Sequence, residues 1–104
     1  MTDILKRLRQ EKKDWENKFY KFGKVEGLTW ASSAHYEDLL YVLHFRGTYQ
    51  LTSEPKMAKY FKKIYQSTEL AMYPNQESIQ HEQMFIDGWF KGVNGFWNQI
   101  KEKI

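Results

Sequence analysis

Apolar residues recur at helical spacing along most of the chain. At about 100° per residue, Ile4, Leu8, Trp15, Phe19, Phe22 and Trp30 fall on one face, which predicts a long helix over about residues 3–31. Thr2 or Asp3 can cap its start. Lys and Glu fill the other faces at i,i+4 spacing, as in Asp14–Lys18. Gly23 and Gly27 lie beside the apolar stripe, each costing about 1 kcal/mol against Ala in a helix interior.

Ser32-Ser33 breaks this helix, and Ser33 is a candidate cap for the next. A second helix is expected over about 34–46, with Tyr36, Leu39, Leu40 and Leu43 inward and Glu37 and Asp38 in the first turn, where the helix dipole favours them. Gly47 stands where a C′ glycine belongs, and Thr48 to Ser53 reads as a loop. A third helix, about 54–72, starts near Pro55, which a first turn tolerates. Met57, Phe61, Ile64, Tyr65 and Thr68 share its inner face, with Lys56, Lys59 and Lys63 outside. Tyr73-Pro74-Asn75 predicts a turn, and a fourth helix runs from about 76 to 103.

In that last helix Ile79, Ile86, Trp89, Val93, Phe96 and Ile100 keep a 3,4 spacing close to a heptad seam. Gly88, Gly92 and Gly95 form an adjoining strip. The prediction is all-α: a four-helix arrangement with two long helices and two shorter ones, in one domain spanning 1–104. Gly-x-x-x-Gly pairs at 23/27 and 88/92, set among bulky rings such as Trp89 and Phe96, predict that the long helices approach backbone to backbone. The same strips are candidate contacts for a second copy of the chain. In membranes this spacing drives helix pairing, but Lys24, Glu26, Asp87 and Lys91 interrupt the apolar context here.

Composition narrows the classes. Apolar residues make up 41% and aromatics 17%, too much for a disordered chain. No stretch of about 18 apolar residues predicts a transmembrane helix, the N-terminus lacks the apolar core of a secretory signal, and no membrane partner is expected. The absence of cysteine excludes disulfides and thiolate metal sites, and fits a cytoplasmic location. The net charge of +3 is unevenly spread: residues 1–24 carry eight Lys/Arg against four Asp/Glu. A basic face of this kind suits nucleic acid, an acidic protein or anionic lipid.

Catalytic signals are sparse. His35, His44 and His81 follow no ligand spacing, no glycine-rich phosphate loop sits between a strand and a helix, and neither a cofactor nor an enzyme is expected. Glu26 stands out because it falls on the apolar face between Phe22 and Trp30, where partial burial and a polar partner are expected. The leading expectation is a non-enzymatic module for protein interaction or self-assembly, with a homodimer as one form. A second is a nucleic-acid-binding accessory protein using Arg7, Arg9, Lys12 and Lys13 on the first helix and Lys56, Lys59 and Lys63 on the third. A third is a small-ligand or enzyme pocket around Glu26 and Trp30.

Overall fold

The protein, seen as a computed structural model that describes residues 2–66 and 78–104, consists of five α-helices among those residues. These are α1 (Thr2–Ser33), α2 (Tyr36–Leu43), α3 (Thr48–Ser53), α4 (Pro55–Gln66) and α5 (Ser78–Ile100). No strand occurs among them. The two long helices are α1 and α5, as the periodicity predicts. The expected turn at 73–75, the far end of the third helix, its inner-face Tyr65 and Thr68, the start of the fourth and the Ile79 side chain lie outside the described residues.

The largest interface joins α1 to α5. A Cβ built on Gly23 would meet the carbonyl oxygen of Phe85, and one on Gly27 that of Trp89, at 1.9 and 2.0 Å. From the other side, a Cβ on Gly88 would lie 2.0 Å from the Tyr20 oxygen and one on Gly92 2.3 Å from that of Lys24. Contacts climb both helices together, 23 to 85 and then 27 to 89, so α1 and α5 run parallel. Adding 65 to each α1 position maps one half of the crossing on the other: Gly23 on Gly88, Gly27 on Gly92, Tyr20 on Phe85 and Lys24 on Trp89. The crossing therefore has approximate two-fold symmetry. Its glycine Cα–H groups face opposing carbonyls, a weak hydrogen bond available only where no side chain intervenes.

The buried positions of α1 are Phe19, Gly23, Gly27 and Ala31. This i,i+4 ridge lies one strip over from the expected stripe. Ile4 and Leu8 are exposed, Phe22 is 37% exposed, and Trp15 and Trp30 are half-buried. Glycine adds nothing to an apolar count, so periodicity points at the rings while close packing follows the glycines. Ridges of i±4 spacing on both helices belong to the packing class whose axes cross at roughly 50°.

α5 is central. Its Phe85, Trp89 and Val93 are fully buried, and it meets α1, α2, α3 and α4. Leu39 and Val42 of α2, Leu51 of α3, and Met57 and Phe61 of α4 close the core. Trp89 is its largest member, 4.8 Å from Phe61, 5.0 Å from Trp30 and 5.8 Å from Tyr60 between ring centroids.

Helix ends depart from expectation in three places. Ser33 stays in α1, where its hydroxyl donates back to the Trp30 carbonyl at 3.3 Å, and His35 takes the N-cap position of α2 without a side-chain bond. Gly47 begins α3 rather than ending α2, with extended backbone at φ −170°. The expected loop 48–53 is helical. Gln50 Oε1 accepts the N–H of Arg46, the residue before the N-cap Gly47, at 3.0 Å, and Leu51 is fully buried. Asp14 accepts from Gln10 at 3.1 Å, while Lys18 lies 5.2 Å from the Trp15 ring centroid.

Candidate functional site

Outside the core, a cavity lies between α1, α2 and α4, and the N-terminal half of α1 is exposed. The cavity measures about 200 Å³. α1 supplies Trp30, α2 supplies Asp38, Tyr41 and Val42, and α4 supplies Lys56, Met57 and Tyr60. The side chains reach one place because α2 and α4 each lay an apolar strip on the core, Val42 at 1% and Met57 at 6% exposure, which turns Tyr41 and Tyr60 to its edge. The Lys56 ammonium sits 6.0 Å from the Tyr41 ring centroid.

Tyr60 is half-buried on α4. Burial pushes its hydroxyl up to about 12; the neighbouring Trp89 indole N–H pulls the other way, and the Glu26 charge adds to the rise. Although that N–H lies near Tyr60, it reaches no acceptor with hydrogen-bond geometry and is a buried donor without a partner. Tyr60 is thus protonated at neutral pH. Its folded-state value lies above the ordinary 10, so the stability it contributes is complete below pH 10 and lost as pH rises toward 12.

Glu26 is half-buried and adjoins this cluster, but it does not line the cavity and forms no hydrogen bond or ion pair among the described residues. The polar partner expected from sequence does not occur among the described residues, because the helix rotation places Glu26 at the rim of the α1–α5 crossing rather than inside it. Glu26→Ala is accordingly expected to change stability by less than about 0.5 kcal/mol, the range of a surface position, since no donor is orphaned. Glu26→Gln should lower the Tyr60 pKa by removing a nearby negative charge, which a Tyr ring-carbon NMR titration measures.

Comparison with known proteins finds no matching family model, no matching curated protein and no matching solved structure. The geometry of the chain itself is the ground for any reading of function.

Residues 2–14 of α1 are exposed without interruption. They include Ile4, Leu5 and Leu8, each close to half exposed. Lys6, Arg9, Lys12 and Lys13 line a shallow depression on this segment. Two of the basic side chains have partners on the same helix: Arg7 Nε lies 3.8 Å from Glu11 and Lys12 Nζ 3.9 Å from Glu16. Lys56 belongs to the cavity, apart from this depression, while Lys59 and Lys63 are exposed on α4.

The remaining site residues go to the interior. Gly23, Gly27, Gly88 and Gly92 face backbone of the same chain, Trp89 is buried, and Phe96 packs against the core. Gly95 has nothing within 4 Å of its Cβ direction. That Asp38, Tyr41 and Tyr60 share one cavity is not legible in the sequence, since they join only through the approach of α2 to α4. No cluster of three metal-binding side chains occurs among the described residues. Nor is any described helix long and apolar enough to cross a membrane.

Proposed function

We propose that this chain is a non-enzymatic assembly module that self-associates through the N-terminal half of α1. The observation that carries the reading is the exposed strip of Ile4, Leu5 and Leu8 on a helix long enough to reach past its crossing with α5. A 32-residue helix spans roughly 48 Å, which accounts for most of the 55 Å length of the molecule. The crossing occupies residues 20–28 of it. The glycine strips are taken up within the chain, and the first turns of α1 offer an apolar surface to a second copy. Both signs of charge flank that strip, with Asp3, Glu11 and Asp14 beside Arg7 on one side and Lys6, Arg9, Lys12 and Lys13 on the other. Mixed signs of this kind allow two copies to pair their charges, whereas a phosphate backbone favours a surface of one sign.

Light scattering tests it. The wild-type chain should give twice the 12.6 kDa chain mass. Combined Ile4→Ser, Leu5→Ser and Leu8→Ser should give the monomer mass with an unchanged circular dichroism spectrum, because these side chains contribute nothing to the core. A wild-type monomer at every concentration overturns the reading.

A further inference from the structure

We propose that the cavity between α1, α2 and α4 binds a small organic cation, an alkylated ammonium group. Three aromatic side chains, Trp30, Tyr41 and Tyr60, form its walls. Trp30 and Tyr60 are braced from behind by Trp89, at 5.0 and 5.8 Å, and Tyr41 packs at 5.5 Å on Phe45. Rings held by neighbours in this way present fixed faces, and ring faces attract cations, most strongly where water is displaced.

Charge and size select the ligand. Asp38 stands on the wall without an ion pair among the described residues, and the Glu26 charge reaches Tyr60 from the adjoining rim. On the wall itself Asp38 offsets Lys56, and Glu26 adds a negative charge from outside the lining. Lys56 already lies over the Tyr41 ring, which marks that face as one that attracts a cation. Its side chain is exposed and free to swing away, so an incoming cation takes the place of a tethered one. A volume of about 200 Å³ is below the range for drug-sized ligands and suits a head group of a few heavy atoms.

Choline and its neutral carbon isostere, 3,3-dimethylbutan-1-ol, are the probes, titrated against the whole chain at constant ionic strength and followed by NMR at the Trp30 indole and the Tyr41 and Tyr60 rings. Choline should shift these signals and bind at least about threefold more tightly than the isostere, the equivalent of a cation–π contact at an exposed site. Asp38→Asn should weaken choline about two- to fivefold and Lys56→Gln should strengthen it by a similar factor. Both positions are exposed, so the fold is retained. The same titration with acetylated, amidated trimethyl-lysine separates a free solute from a protein side chain as the natural source, by which binds more tightly. Equal binding of the isostere, tighter binding by Asp38→Asn, weaker binding by Lys56→Gln, or no shift at the three rings overturns the assignment. Self-association does not enter this test, so the two proposals fail independently.

Discussion

Gly88→Ala is expected to destabilise the protein by about 3 kcal/mol or more, at the upper end of overpacking costs, although alanine is the better helix former by about 1 kcal/mol. The new methyl would lie 2.0 Å from the Tyr20 carbonyl oxygen. That neighbour is backbone, so no rotamer change relieves the clash and the helices must part. Parting them breaks the matched contacts at Gly23, Gly27 and Gly92, each of which would place a Cβ within 2.3 Å of an opposing carbonyl. Gly95→Ala is the matched control. It lies seven residues further along the same helix, is exposed, and has nothing within 4 Å. It should gain about 0.5–1 kcal/mol from helix propensity alone. Thermal unfolding would show a fall on the order of 10–20 °C for the first and a rise of a few degrees for the second. Equal gains for both variants would mean that no close crossing exists.

Trp89→Ala should cost about 3–5 kcal/mol, the loss expected for a large buried aromatic. Trp89 is fully buried, contacts three other rings, and lends its carbonyl to the glycine crossing. Trp89→Phe separates packing from polarity. It removes volume, but it also removes an indole N–H that has no acceptor, and an unpaired buried donor costs about 1–3 kcal/mol. The phenylalanine variant should therefore keep most of the stability that alanine loses. Chemical denaturation compares the two, and equal losses would show that the N–H is satisfied in solution.

The helix class and the two long helices were legible in the sequence because a 3.6-residue period over more than 20 positions outweighs local exceptions. The glycine spacing also pointed to a close approach, yet the apolar stripe misplaced the buried face by one strip. Hydrophobic patterning weighs side chains, and the close backbone approach of α1 and α5 is made by residues without any. α3 escaped notice because its support is a Gln50 reaching back to the Arg46 N–H and a single buried leucine, neither of which shows in periodicity. Trp30 was singled out on its own helix. Its partners Asp38, Tyr41, Lys56 and Tyr60 sit on two other helices, and nothing in their spacing records that α2 and α4 will meet beside it. Glu26 breaks the stripe, and the same one-strip rotation accounts for its having no hydrogen-bond or ion-pair partner among the described residues.

The parallel crossing of α1 and α5 underlies both the proposed assembly surface and the cavity wall at Trp30. The most direct measurement is an isotope-filtered NOE experiment on a mixture of labelled and unlabelled chains, which separates contacts within a chain from those between chains. Cross-peaks from Gly23 Hα to Phe85, Gly27 Hα to Trp89 and Gly88 Hα to Tyr20, all within one chain, are the predicted result. The same peaks arising only between chains, or Gly23 contacting residues near Gly95 as in an antiparallel pair, would contradict it.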